Sequence, residues 1–335
     1  MTANAAPLLA QMLAGAWLAQ ALSVAARLGI ADRLAAGPLS AAELAERLET
    51  DAIATYRLLR ALAGAGVFRE SEDGRFALTP LASPLRADAP DSVRDYAIMA
   101  GERWVWASIG GLMHSVKTGA PAFHHLFGVP LFDYYVAHPE AGRIGSDGLK
   151  SVGRGQDEAV AATLELRGGR RLVDVGGGQG GLLAALLAAH PEAEGMLFDL
   201  PHVVALAPPV LAAAGVASRC RITGGDFFEA LPRDGEIYLL RKVLHDWDDR
   251  RADQLLAVCR DAMPAGARLV VAEAIVPEGN ALAYAKLLDL LMLAYAGGRE
   301  RTEREYRALL AAAGFTVDRI VPTRSSLSLI EARRL

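Results

Sequence analysis

Residues 171–200, RLVDVGGGQGGLLAALLAAHPEAEGMLFDL, constrain this chain more than any other stretch. Arg171–Val175 reads as a buried strand, 176–181 as a turn, 182–190 as an apolar helix, and the residues up to Asp199 as a second strand. A chain that leaves a strand and at once starts a helix needs a tight turn. Glycines there keep Cβ atoms away from the backbone and from any ligand approaching the N–H groups at the helix start. Asp199 stands 23 positions after Gly176, about where an acidic residue in such a unit accepts hydrogen bonds from ribose hydroxyls. The stretch therefore predicts a site for an adenosine-bearing cofactor. Gly176, Gly178 and Gly181 also satisfy G-x-G-x-x-G, so the turn by itself leaves a dinucleotide open.

Strand and helix signals keep alternating after Asp199. Strands are expected at 220–223, 237–240 and 268–272, with a closing pair at 315–321 and 326–331. Helices are expected at 203–214 (disturbed by Pro208-Pro209), from Asp248 to 263, at 283–294, and from Thr302 to 314, where Thr302 and Glu305 form a capping box. Alternation over residues 166–335 predicts an α/β, Rossmann-like catalytic domain with a mostly parallel sheet and helices on both faces.

The preceding residues have another character. One long helix is expected over 1–30, and Leu8, Leu9, Met12, Leu13 and Trp17 give it more apolar surface than one core-facing side needs, so a subunit partner is expected too. No basic residue precedes Arg27, and Gln11, Gln20 and Ser23 interrupt the segment, so neither a signal peptide nor a membrane span is expected. Ser40 and Glu43 make a capping box, a helix follows at 52–63, and 67–70 with 75–78 read as a hairpin. This is a winged-helix pattern. Residues 1–100, however, hold nine Arg against eleven Asp and Glu, a net charge of −2, and the whole chain carries −4, unlike a nucleic-acid binder. They are expected to form a winged-helix-like dimerisation domain. Cys220 and Cys259 have neither zinc nor redox spacing, which predicts a reducing, cytoplasmic setting, and no cluster has metal-ligand spacing.

Residues 101–165 read as a helical linker and cap rich in aromatics. Met113, His114, Phe123 and Phe127 are the candidates for lining a pocket for a flat ring, with Met292 on the helix 283–294. Beyond the third strand of the α/β domain, Asp226 can accept from an exocyclic amine while Phe227 covers an adenine ring.

The ordered runs LVDVGGGQGG, FDLP, GGDFF, LLRKVLHDWDD, VVAEAIVPEG and GGRERTEREYRALLAAAGF resemble the S-adenosylmethionine-dependent O-methyltransferases of the caffeate/hydroxyindole type, which include bacterial natural-product enzymes. The resemblance implies a class I methyltransferase sheet behind an N-terminal dimerisation domain, a homodimer, and S-adenosyl-L-methionine as cofactor. It implies that the turn with Gly176 and Gly178 faces the cofactor, that Asp199 holds the ribose hydroxyls, that the following Leu200 is among the cofactor-binding residues, and that Asp226 and Phe227 flank adenine. Arg241 falls where many relatives have a lysine beside the cofactor. His245 matches the general base, and Glu273 and Glu300 match the acids that orient and polarise it.

Elementary chemistry agrees with these roles. Methyl transfer from a sulfonium needs an oxygen nucleophile in line with the methyl carbon. A phenol with pKa near 10 is mostly neutral at pH 7, and a histidine can take its proton as attack proceeds. Asp246 is a candidate for contact with the acceptor. One departure stands out: where relatives carry an aromatic residue and a methionine against the acceptor ring, the stretch 143–149 offers Gly145 and Leu149, which predicts a roomier pocket. The expected activity is O-methylation of a phenolic or enolic hydroxyl on a small aromatic metabolite. Two rivals are a same-fold enzyme catalysing hydroxylation or rearrangement, and a winged-helix DNA-binding regulator.

Overall fold

A computed structural model describes residues 5–167 and 170–335. The chain divides into two compact units, residues 1–107 with 132–152 and residues 108–131 with 153–335. The division shares residues 101–165 between the units and falls inside the helix Pro139–Thr163.

The first unit begins with the helix Ala5–Leu28, ended by Gly29 at φ 65, so the single helix expected over 1–30 is broken there and Ile30–Leu34 forms a second. Its Leu8, Leu9, Met12, Leu13 and Trp17 are exposed. The helix is long and apolar enough, by length and composition, to cross a membrane, a property that Gln11, Gln20 and Ser23 do not remove. Helices Ala41–Leu48 and Ala52–Gly64 follow, the first started by the Ser40–Glu43 capping box. Strands β1 (Leu39–Ser40), β2 (Phe68–Glu70) and β3 (Arg75–Leu78) make a small antiparallel sheet in the order β1-β3-β2. Ile30, Leu44, Leu59, Leu62, Phe68 and Phe76 bury the shared core, each worth about 1.5–3 kcal/mol on transfer from water.

The second unit is built on β4 (Arg171–Val175), β5 (Glu194–Asp199), β6 (Cys220–Gly224), β7 (Ile237–Arg241), β8 (Arg268–Glu273), β9 (Phe315–Pro322) and β10 (Ser328–Arg334). These form one sheet in the order β6-β5-β4-β7-β8-β10-β9, parallel from β6 to β8, with β10 antiparallel to both neighbours. Successive strand residues point to opposite faces. Leu172, Leu197, Leu239 and Val270 pack with the apolar helix Gly181–Ala189. Val173, Met196, Tyr238, Leu240 and Val271 pack under the helices Asp249–Ala262 and Glu303–Ala312. The helix expected over 203–214 is two, Pro201–Val204 and Pro208–Ala213, because proline starts each and cannot continue a preceding turn.

The strand order has one functional consequence. From β4 the chain runs outward through β5 to β6, then returns to β7 on the other side of β4. The crevice at the carboxyl ends of β4 and β7 is thus a topological switch point, where open α/β sheets bind ligands.

Candidate active site

The glycine turn leaves β4 at this crevice. Gly176, Gly178 and Gly180 have φ of 67, 60 and 82, a region that L side chains enter only with strain. Gly176 N–H donates to Phe198 O at 2.8 Å, and Asp199 braces both sides: its Oδ2 accepts from Gly178 N–H at 2.8 Å and its Oδ1 from Leu200 N–H at 2.7 Å. Burial raises the pKa of Asp199 despite these two donors. Phe227 lies over the turn, with its Cε1 3.4 Å from where a Gly176 Cβ would sit. Asp226 is exposed and its Oδ1 accepts from Phe228 N–H at 2.8 Å, so one of its oxygens serves its own turn.

Three groups around this turn have unsatisfied polar atoms. Asp174 is buried in β4, and its Oδ2 has no hydrogen-bond partner among the described residues; burial, then the charge of Asp157, pushes its pKa to about 7. Asp157, on the helix Pro139–Thr163, is raised to about 6 by burial. Its Oδ1 lies 3.1 Å from Arg241 Nε without the alignment of a hydrogen bond. Cβ atoms on Gly181 and Gly177 would come within 2.7 Å of Asp157 Oδ2 and 2.6 Å of Asp174 Oδ2, so both acids press on the turn. Arg241 donates to Gly153 O and Gln156 Oε1, each at 3.1 Å, and is turned onto that helix. Two buried acids and a guanidinium with unused hydrogen-bonding capacity suit a ligand end carrying both an ammonium and a carboxylate, as the amino-acid end of S-adenosylmethionine does. Sequence reading passed over both acids. A carboxylate inside the buried strand LVDV was the available signal for Asp174; Asp157, on a polar helix, offered none.

Across the crevice, β7 ends at Arg241, Lys242 follows with φ 53, and a short 3-10 turn, Leu244–Asp246, presents His245. His245, Glu273 and Glu300 are all buried. His245 Nδ1 bonds Glu300 Oε1 at 2.7 Å, whereas Glu273 Oε2 is 4.0 Å from it. Glu273 instead accepts through Oε1 from the N–H groups of Val243 (3.0 Å) and His245 (3.3 Å). The two acids thus divide the role expected of them: Glu300 holds the ring, whereas Glu273 at the end of β8 holds the backbone of the turn and bears on the imidazole by its charge. Asp289 Oδ1 accepts from Glu300 N–H at 2.8 Å and seats that loop on the helix Tyr284–Tyr295.

On the other ring nitrogen, Asp246 Oδ1 lies 3.4 Å from Nε2. Burial alone would lower the pKa of His245, but the charges of Glu273 and Asp246 and the bond to Glu300 outweigh it and raise the value. Burial raises Glu273 to about 7, with Glu300 and Asp246 adding to it. Lys242 is pushed down, first by burial and then by Arg241, while Asp246, Glu273 and Glu300 pull it back up. Among the described residues, His245, Glu273 and Glu300 are the one group with three potential metal-ligand atoms within 4.8 Å of one another.

The expected ring-pocket residues fare unequally. Phe123 is fully buried, tilted against Phe127 at 4.7 Å and edge-on to Tyr295 at 5.5 Å, so it packs the helices Ala122–Phe127 and Tyr284–Tyr295 together. Met292 is buried on the latter helix, His114 stacks on His125 at 4.1 Å, and Met113 is exposed. Leu149, in the first unit, is exposed. The roomier pocket expected from Gly145 is corrected within that unit: a Cβ there would lie 2.7 Å from the Tyr135 hydroxyl, so the Tyr135 ring fills the space.

Comparison with known proteins gives concordant results. An O-methyltransferase domain model matches residues 109–316, and an O-methyltransferase dimerisation domain model matches residues 10–88. The chain is 45% identical to phenazine O-methyltransferase PhzM of Lysobacter antibioticus, over 99% of its own length and 98% of that protein's. It matches the crystal structure of LaPhzM with a TM-score of 0.94 and 43% identity, covering 99% and 100% of the two chains. The crystal structure of the neocarzinostatin-biosynthesis O-methyltransferase NcsB1, in complex with S-adenosylmethionine and 2-hydroxy-5-methyl naphthoic acid, matches with a TM-score of 0.82 and 33% identity over 95% and 96%.

Proposed function

The chain belongs to the S-adenosylmethionine-dependent O-methyltransferases, and we propose that it methylates a phenolic or enolic hydroxyl of a small aromatic metabolite, with His245 as general base. The observation that carries this reading is the 2.7 Å bond from His245 Nδ1 to Glu300. A carboxylate accepting at Nδ1 commits that nitrogen to its hydrogen and leaves the lone pair on Nε2. The cofactor supplies a methyl group on a positively charged sulfur. Transfer of that methyl would break its bond to sulfur and leave the neutral thioether S-adenosylhomocysteine; His245 Nε2 takes the proton of the acceptor oxygen, and Glu300 stabilises the imidazolium that results. Planar aromatics are supported by the relatives' acceptors, a phenazine and a naphthoic acid. A homodimer is supported by the matched dimerisation domain and by the exposed apolar residues of the helix Ala5–Leu28.

Methyl-labelled cofactor, incubated with hydroxylated phenazines and naphthoic acids, tests the reaction. A labelled O-methyl product supports it, whereas a product without label points to hydroxylation or rearrangement.

On the donor side, Gly176, Gly178 and Asp199 hold the ribose end. Asp199→Ala is expected to weaken S-adenosylhomocysteine binding about 10- to 100-fold, the range set by losing one charge-assisted hydrogen bond of roughly 1.5–3 kcal/mol. Calorimetry giving an unchanged Kd would remove Asp199 from the site.

The acids around His245 predict a pH dependence. A base must be unprotonated, so kcat rises with pH, through a limb displaced upward by the raised pKa of His245. Asp246→Asn removes one of the charges holding that proton on, and its limb is expected at lower pH. The donor's positive charge acts on both proteins alike, so the difference between their profiles isolates Asp246. Superimposable profiles would count against its charge reaching the ring.

A further inference from the structure

We propose that Arg301 is a positioning residue that locks the turn carrying His245 to the loop carrying Glu300, so that the imidazole and its carboxylate are aligned before the substrates arrive. The inference rests on His245 being the base. Arg301 is only 1% exposed, and arginine is rarely so deep without full compensation. Here the compensation is complete. Nε donates to Asp249 Oδ1 at 3.0 Å, Nη1 to Leu244 O at 2.9 Å and Arg299 O at 3.3 Å, and Nη2 to Trp247 O at 3.0 Å and Asp249 Oδ1 at 2.8 Å. All five donors of the fork are used.

The acceptors are the informative part. Leu244 and Trp247 bracket the pair His245-Asp246, and Arg299 immediately precedes Glu300. Leu244 O already accepts the closing bond of the short 3-10 turn from Trp247 N–H at 3.3 Å, and one planar cation adds a second donor to it while taking Trp247 O and a carbonyl of the facing loop. The backbones interlock in the same place: Arg299 N–H donates to His245 O at 2.9 Å, and Val276 N–H to Arg301 O at 2.9 Å, just beyond Glu273. Asp249 brings the balancing charge from a half-exposed position at the start of the helix Asp249–Ala262. Lysine has three donors on one atom and cannot span these acceptors at once. Misplacing a catalytic group by about 1 Å can cost about 10²-fold in rate, which is the scale on which such a lock acts.

The full-length enzyme with Arg301→Lys tests this through kcat, the KM of each substrate, S-adenosylhomocysteine affinity and melting temperature. Expected is a roughly 10- to 100-fold fall in kcat with both KM values and the product affinity within about twofold of the parent, and partial recovery of kcat when guanidinium ion is added to Arg301→Ala. A lower melting temperature with kcat per folded enzyme unchanged would make Arg301 structural only and overturn the proposal. If the Arg301 variants do not fold, Asp249→Asn decides. A fall in kcat at constant KM supports the lock, and an unchanged kcat overturns it. Activity retained by His245→Ala would instead mean that the base is misassigned. Activity lost in that variant but kept in the Arg301 variants would reject the lock alone.

Discussion

His245→Ala is expected to lower kcat about 10²- to 10⁴-fold, the range that a general base contributes, while S-adenosylhomocysteine still binds with nearly the parent affinity. The separation follows from the architecture. His245 stands on the turn after β7, held by Glu300 and the backbone-binding Glu273, whereas the turn that would hold the ribose follows β4 and is braced by Asp199. The alanine variant keeps the turn's N–H groups and Glu273, so it should remain folded. Single-turnover measurements at saturating cofactor check it directly. Parent-like rates would end the base assignment, and a large loss of cofactor affinity with chemistry intact would move His245 to the donor site.

Gly298→Ala should be nearly as damaging, although residue 298 carries no chemistry. A Cβ there would lie 2.0 Å from His245 O, 2.4 Å from the Asp246 carbonyl carbon and 2.8 Å from Asp246 Cα. All three are backbone atoms, so no side chain can swing away, and either the turn or the loop must shift. Because Glu300 is two residues on, the expected result is a loss of kcat of about 10²-fold or more, together with a lower melting temperature. Gly155→Ala is the control. It sits in the helix Pro139–Thr163 with nothing within 4 Å of its Cβ position, and should gain up to about 1 kcal/mol of stability. A Gly298→Ala enzyme with parent kcat would show that the two segments are less tightly joined than their geometry implies.

Features that depend on residues close in sequence were legible before any coordinates. The capping boxes Ser40–Glu43 and Thr302–Glu305, and the cap of Asp248 on Arg251 N–H, each join positions three apart. The strand–glycine–helix–strand run shows because its apolar spacing and its turn residues both lie within one unit. His245, Glu273 and Glu300 were picked out only by the resemblance of the ordered runs to a known family, and the structure brought the three together.

What spacing alone could not supply was which oxygen meets which hydrogen. Glu273 and Glu300 are alike as letters, yet one bonds an imidazole and the other two amides. The ring of Tyr135 over Gly145, the turn of Arg241 toward Asp157, and the grip of Arg301 on carbonyls more than fifty residues away were equally invisible. The amino-acid order by itself determined the elements, their caps and the residue types at the crevice, because a turn, a cap or a periodic face is settled by neighbours a few positions apart. The partners inside the crevice were decided only by the tertiary structure. Each such pairing joins distant segments, and its geometry depends on how the whole sheet and its helices pack, a sum of many small contacts that no local pattern records.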